Sequence, residues 1–385
     1  MTCHRDNNIS DSIIELIANN GFDGLGDAVT LLLNEAMKIE RARHLQAEPY
    51  ERTDERNGYA NGFKPKKVKS RVGELSLNVP QVRDSEFYPN CLERGIRSER
   101  ALKLSLAEMY VQGVSTRRVK EITEKLCGFE ISSTDVSRAA KILDESLLAW
   151  RERPLGKYKY LIVDARYENV RNNGCVADSA VLIAYGVNSG GQKHILGVSV
   201  SLSENEVHWR DFLSSLVARG LHGIELFISD AHSGIKAARK NVFPGVPWQR
   251  CQFHLQQNAQ AYVPKRDMKK EVAYDIRSIF NAPNIDESNR LLKINVDKYS
   301  KSAPDLSKWM EDNIPQGLTV MKFPESHRVK IRTSNLAERV NKEIKRRTRI
   351  AGIFPSTESC LRLITAIVME IDDDWKEGKT YINMR

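Results

Sequence analysis

Three acidic residues stand out by where they fall: Asp164, Asp230 and Glu338. Asp164 follows the apolar run Tyr160-Leu-Ile-Val163, and Ser229-Asp230 follows the run from Ile224 to Ile228. Each run reads as a short buried strand that ends at its aspartate. If the two strands are neighbours in a sheet, both carboxylates sit at one edge, where they pack poorly but can hold a divalent ion. Hard ions such as Mg²⁺ or Mn²⁺ take carboxylates together with water and substrate phosphate. Two like charges about 4 Å apart repel by roughly 4 kcal/mol at an effective dielectric of about 20, so a bound cation or a raised pKa must relieve them. With two ions, the expected chemistry is in-line displacement at phosphorus: one ion activates the attacking oxygen and the other stabilises the leaving 3′ oxygen.

Each residue also has an ordinary explanation. An aspartate at a strand end often caps a turn or helix, and for Asp230, followed by Ala231-His-Ser-Gly234, capping is a serious rival. Glu338 sits on a helix after Ser334, with Asn341, Lys342 and Lys345 on its face. Its bland role is a surface pair with Lys342, worth a few tenths of a kcal/mol. The surroundings argue for more. Nine cations (Arg328, Lys330, Arg332, Arg339, Lys342, Lys345, Arg346, Arg347 and Arg349) face only Glu338 and Glu343 in this stretch. That excess is most of the formal net charge of +9 and suits a phosphate backbone. Cys251 and His254 form a Cys-x-x-His pair. A zinc site needs two more ligands, with His232 the one obvious recruit, so a hydrogen-bonding or core role beside the site is expected instead.

The elements that must position these groups follow from patterning. At 385 residues the chain calls for two or three domains. Helical patterns cover residues 9–19 and 25–46, the second through Ala28, Leu31, Leu32, Glu35 and Ile39. A turn-rich stretch, Asn57-Gly-Tyr-Ala-Asn-Gly62, leads into Lys64, Lys66, Lys67, Lys69 and Arg71. Val72, Leu75, Leu77 and Val79 then alternate as a short strand or hairpin that Pro80 closes. Residues 101–145 read as helix, turn, helix, with Ser115 or Thr116 and then Ser132, Ser133 or Thr134 as caps. The third helix carries Arg138 and Lys141, and Arg117 and Arg118 open the second. This is either a DNA-reading helix-turn-helix or an ordinary three-helix bundle.

From Tyr158 the pattern becomes α/β. Further strands are expected at Ala180–Val187 and Ile195–Val200, joined by the Asn188-Ser-Gly-Gly191 turn. A helix over 206–219, the strand before Asp230 and a helix over 233–239 complete the front half of a ribonuclease-H-like domain. Residues 256–320 read as helical, 335–347 as a strongly basic helix, and 359–375 as a helix returning Leu361, Leu363, Ile364, Ile367 and Val368 to the core.

Six scattered cysteines (Cys3, Cys91, Cys127, Cys175, Cys251 and Cys360) contain no CxxC pair and predict free thiols in a reducing cytoplasm. No secretory leader or membrane span is expected. The basic balance, with a pI near 9.1, favours a polyanionic partner, nucleic acid before an anionic membrane.

Four motifs in order make the pattern specific: Asp164-Ala-Arg-Tyr167 with Val170-Arg171; Ile228-Ser-Asp-Ala-His-Ser-Gly-Ile-Lys-Ala237; Trp248-Gln-Arg-Cys-Gln-Phe-His254 with Asn258; and Ser334-Asn-Leu-Ala-Glu-Arg-Val-Asn-Lys-Glu-Ile-Lys-Arg-Arg-Thr348 continuing to Gly352-Ile-Phe-Pro355. With Arg56-Asn-Gly-Tyr59 and Gly73-Glu-Leu75, the chain resembles the Mutator-type transposases of bacterial insertion sequences, in the DDE recombinase superfamily, over roughly residues 50–375.

The resemblance implies that Asp164, Asp230 and Glu338 ligate two Mg²⁺ or Mn²⁺ ions, and that the helical segment interrupts a ribonuclease-H-like fold. It implies that Cys251 and His254 are a signature pair near the active site. It also implies cleavage and strand transfer at terminal inverted repeats, with double-stranded DNA (repeats and target) as partner, a homodimer holding two ends, and a place at the bacterial nucleoid.

The expected organisation is a helical and basic-hairpin region for end binding or dimerisation (1–100), a helix-turn-helix-like domain (101–150), a catalytic domain (151–255 and 325–385) and an all-α insertion (256–324). Expected DNA contacts are Lys64, Lys66, Lys67, Lys69, Arg117, Arg118, Arg138, Arg171, Arg339, Lys342, Lys345, Arg346, Arg347 and Arg349. Gln257 and Arg328 depart from the family pattern, away from the triad. A DNA-binding regulator descended from a transposase would need no triad, and a ribonuclease-H-like nuclease would need no end-recognition region.

Overall fold

The computed structural model describes residues 9–92, 94, 95 and 97–384 and divides into two compact units, one ending at Leu143 and the other beginning at Asp144. Cys3 lies outside the described residues.

The first unit begins with helices α1 (Ile9–Asn20) and α2 (Leu25–Leu45). Met37 and its neighbours on α2 cover an antiparallel hairpin, β1 (Tyr59–Ser70) and β2 (Gly73–Arg83), by packing on Leu75, Leu77 and Val79. The basic stretch expected as a turn is therefore strand β1, and β2 runs past Pro80 to Arg83. The pairing register slips between Ala60 and Phe63, opposite Pro80, and such an irregularity accommodates a residue without an N–H.

Helices α3 (Arg100–Val111), α4 (Thr116–Cys127) and α5 (Ser133–Ala140) close on Leu102, Leu106, Val119, Ile131, Val136 and Ala139. Both helix starts expected to be capped are capped, by the first of the candidates in each case. Ser115 Oγ accepts the Arg118 N–H at 3.1 Å, and Ser132 makes a reciprocal capping box with Asp135.

The second unit is built on a five-stranded sheet ordered β5-β4-β3-β6-β7. Helix α6 (Asp144–Glu152) leads into β3 (Tyr158–Asn172), β4 (Cys175–Asn188) and β5 (Lys193–Ser201), which form an antiparallel meander. Helix α7 (Glu206–Ala218) crosses to β6 (Leu226–Ser229), parallel to β3, and α8 (Ser233–Val242) crosses to β7 (Trp248–Arg250), parallel to β6. Trp209, Phe212, Leu213 and Leu216 of α7 and Ile235 and Ala238 of α8 pack on the sheet. The strand expected to end at Asp164 instead continues to Asn172, because β4 goes on pairing with it after β6 has stopped. Strand β7 was not foreseen; three residues are too few to show an alternation.

Beyond β7 come helices α9 (Gln252–Ala259), α10 (Met268–Phe280), α11 (Ile285–Tyr299) and α12 (Pro304–Asn313). With the turns to Lys322 they enclose a core of their own around Val272, Ile276, Ile279, Leu306 and Met310. Helices α13 (Glu325–Ile331), α14 (Asn335–Thr348) and α15 (Thr357–Glu377) finish the chain. Asp372 of α15 accepts the Ile195 N–H at 2.8 Å, which ties α15 to β5.

Arg328, one of the two departures from the family pattern, donates to the carbonyls of Phe323, Pro283 and Met321. It therefore organises the loops beside the helical core. No helix among the described residues is long and apolar enough to cross a membrane.

Candidate active site

Parallel pairing fixes the two aspartates. β3 and β6 match Tyr160 with Leu226, Leu161 with Phe227 and Ile162 with Ile228. Asp164 and Asp230 each lie two residues beyond the last pair, at the same level of the sheet. Asp164 is only 9% exposed. Burial pushes its carboxyl well above the usual range, with Asp230 and Glu204 adding to the rise and His254 opposing it. Asp230 does not cap α8, although it does cap the turn that precedes it. His232 caps α8, its ring accepting the Gly234 N–H at 3.3 Å, while Asp230 Oδ1 accepts the His232 N–H at 3.1 Å.

Helix α14 reaches the same place from the other end of the chain. Asn341 Nδ2 donates to Asp164 Oδ2 at 2.7 Å, and the Asn341 carbonyl accepts from Arg166. Glu338 lies one turn earlier and makes no ion pair with Lys342 among the described residues. Its Oε1 is buried and has no hydrogen-bond partner, as is Asn341 Oδ1. The structure thus brings Asp164 and Asp230 together and docks the Glu338 helix on Asp164. It does not gather three acidic, His or Cys side chains tightly enough to hold an ion as they stand, among the described residues. The donor set nevertheless fits a hard divalent ion, since it is all oxygen and includes two buried oxygens that lack a proton donor.

Several neighbours escaped sequence reasoning. Glu204, in the loop between β5 and α7, is buried 3.6 Å from His232. Burial raises its pKa and Asp230 adds to the rise, while His232 and the Tyr167 hydrogen bond oppose it. Nothing in the polar run Ser203-Glu-Asn205 marks it. Gly234 makes the approach possible, because a Cβ there would meet the Glu204 carbonyl at 2.3 Å. Asn341 did carry a signal, its helical spacing from Glu338.

Cys251 is fully buried at the end of β7. Its Sγ accepts from both the N–H and the hydroxyl of Ser334 at 3.3 Å. Burial pushes the thiol up, but the His254 and Ser334 contacts outweigh it and leave its pKa lowered. His254 is raised, first by its hydrogen bond to Cys251, with Asp164 and Asp230 also contributing. His232, the recruit that a zinc site would need, faces Glu204 at 3.6 Å.

The expected DNA-binding cations fall into distinct groups. Arg339, Lys342, Lys345 and Arg349 on α14 and its end are exposed, as is Arg171 on β3. Arg346 is exposed but held by Glu343. Arg347 does not belong with them: it is 6% exposed, and Glu370 and Glu343 grip its guanidinium from two sides. It is a structural residue. In the first unit Lys64 is exposed, Lys66 donates to the Tyr88 hydroxyl, Lys67 pairs with Glu74, and Lys69 donates to the Glu130 carbonyl. Arg117 and Arg118 pair with Glu121, and Arg138 lies 4.0 Å from Asp135.

The sequence model described as "Transposase, Mutator family" matches residues 5–378. The chain is 54% identical over 385 residues to the transposase for insertion sequence element IS406 of Burkholderia multivorans, covering 100% of this chain and 99% of that one. It is 38% identical over 381 residues to the transposase for IS256 in transposon Tn4001 of Staphylococcus aureus, covering 97% and 96%. It is 36% identical over 337 residues to the transposase for IS1081 of Mycobacterium tuberculosis, covering 87% and 81%. The chain belongs to the Mutator family of transposases.

Proposed function

We propose that the protein cleaves DNA at the terminal inverted repeats of an insertion sequence and joins the released ends to target DNA, using two Mg²⁺ or Mn²⁺ ions held by Asp164, Asp230 and Glu338. The observation that carries this reading is the strand register that levels Asp164 with Asp230, where Asn341 docks the Glu338 helix. A meander followed by two parallel crossover strands supports a ribonuclease-H-like catalytic domain, and the separate helical core supports an all-α insertion between β7 and α13.

The chemistry such ions supply is activation of the attacking oxygen and stabilisation of the leaving oxygen during in-line displacement at phosphorus. The protein's own groups provide the frame. Asp164 and Asp230 present oxygens from a rigid sheet, Asn341 fixes the Asp164 carboxylate, and Glu338 completes the set from α14 by a side-chain movement. Lys342 and Lys345 track the phosphate backbone beside it. In the first step water displaces the 3′ oxygen at the element's end, leaving a 3′ hydroxyl. In the second, that hydroxyl attacks a target phosphodiester and releases the target's 3′ oxygen. The helix-turn-helix and basic hairpin of the first unit recognise the repeats, and a homodimer holds two ends.

The test uses a labelled element end, a target plasmid and Mg²⁺ or Mn²⁺. Asp164→Asn, Asp230→Asn and Glu338→Gln each abolish strand transfer and leave DNA binding largely intact. Strand transfer retained by any of them removes that residue from the triad. Hydrolysis without joining by the wild-type chain points to a nuclease instead.

A further inference from the structure

The Cys-x-x-His pair shows how two widely separated parts of the proposed site are held in register. The Cys251 backbone N–H donates to the Ser229 carbonyl at 2.8 Å, immediately before Asp230. The Cys251 Sγ accepts two hydrogen bonds from Ser334, at the start of α14. The Ser334 carbonyl accepts the Glu338 N–H at 3.0 Å, which closes the first helical turn. Beside it, the Gln252 N–H donates to the Arg332 carbonyl at 3.0 Å. One residue therefore bonds at once to the strand that leads into Asp230 and to the start of the helix that carries Glu338.

The behaviour of Ser334 indicates that this link is more than packing. A serine at a helix N-cap ordinarily accepts an N–H from the first turn, worth about 0.5–2 kcal/mol. Ser334 makes no side-chain cap bond; its hydroxyl turns inward to the sulfur. Cys251 and Ser334 are both fully buried, so the hydroxyl has no water to choose instead. Local helix stability is given up for a defined position of the helix start.

We infer that Cys251 is a positioning residue which, through Ser334, sets the distance between Glu338 and Asp230 and so governs binding of a divalent ion between them. This rests on the proposed triad. Cysteine suits the role because its large, soft sulfur accepts two donors at 3.3 Å in a dry site, and a serine oxygen there could accept the same two donors.

The experiment uses full-length Cys251→Ala, Cys251→Ser, Ser334→Ala and the Cys251→Ala/Ser334→Ala double variant. Bound Mn²⁺ is counted by electron paramagnetic resonance, and amide exchange is followed over residues 332–338. Cleavage of a labelled element end is timed at saturating DNA. In Cys251→Ala, exchange in 332–338 speeds up, Mn²⁺ affinity and the cleavage rate fall by roughly 10- to 100-fold, and DNA affinity is unchanged. Cys251→Ser recovers most of the loss, and the double variant is no worse than Cys251→Ala alone.

Equal defects in the Ala and Ser variants, unaltered exchange, or losses that multiply in the double variant each overturn the inference. Failure of the triad reading itself is recognised separately: the wild-type chain would bind no Mn²⁺ and Asp164→Asn would cut DNA as well as it does. The exchange measurement would still report whether Cys251 holds the helix start.

Discussion

Asn341 Nδ2 lies 2.7 Å from Asp164 Oδ2, joining helix α14 to the central strand across 177 positions of the sequence. An amide N–H₂ can only donate, so the contact orients the Asp164 carboxylate as an acceptor, which the proposed cation site requires. Partners that orient metal-ligating carboxylates typically account for 10–100-fold in metal affinity or activity. Asn341→Ala should therefore lower strand transfer by roughly that factor while DNA affinity stays the same. Strand transfer at the wild-type rate would show that the contact only packs the helix.

The cations of α14 separate by environment, and two substitutions two positions apart should behave oppositely. Lys345 is exposed, whereas Arg347 is buried against Glu370 and Glu343. Each phosphate contact contributes about 0.9 to the slope of log affinity against log salt. Lys345→Ala should flatten that slope by about this amount and leave the melting temperature alone. Arg347→Ala should leave the slope alone and destabilise the fold by roughly 1.5–3 kcal/mol, the usual worth of hydrogen bonds to charged groups. An unchanged slope in Lys345→Ala would count against a backbone track on this face.

What the sequence made legible follows from the range of the interactions involved. Helix caps are local, so three or four neighbouring residues narrowed them to Ser115 or Thr116 and to Ser132, Ser133 or Thr134, and the structure selects Ser115 and Ser132. The basic helix expected over 335–347 and the apolar strand expected over 224–228 were legible locally, and they run Asn335–Thr348 and Leu226–Ser229. The continuation of β3 beyond Asp164 did not, because it depends on pairing with a strand that begins at Cys175. Arg347 was misjudged for a similar reason: its partner Glu370 lies on another helix. Glu204 reaches Asp230's surroundings only through the close approach at Gly234. The level placement of Asp164 and Asp230 was expected if their strands were neighbours, and the β3–β6 register supplies that condition.

Asp372 supports the sheet beneath the site, and its environment sets a pH dependence. It is fully buried on α15, accepts the Ile195 N–H, and faces Arg153 at 3.3 Å, His194 at 3.6 Å and Lys376 at 3.3 Å. Burial alone would raise its pKa, but the His194 and Ile195 hydrogen bonds with Arg153 and Lys376 outweigh it and hold the carboxyl below its ordinary 3.8. A carboxyl depressed by folding adds stability that is fully present above its unfolded value and lost as pH falls through the folded one. Asp372→Ala should destabilise the chain by roughly 3–5 kcal/mol near neutral pH, because it strands buried cationic partners. Measured by denaturant unfolding, the gap between wild type and Asp372→Asn should stay constant from neutrality down to mildly acid solution. It should then narrow as the pH drops below 3.8. If the gap held at the same size into that acid range, Asp372 would not be ionised in the native fold, and the charge network joining α15 to β5 would have to be replaced by neutral hydrogen bonding.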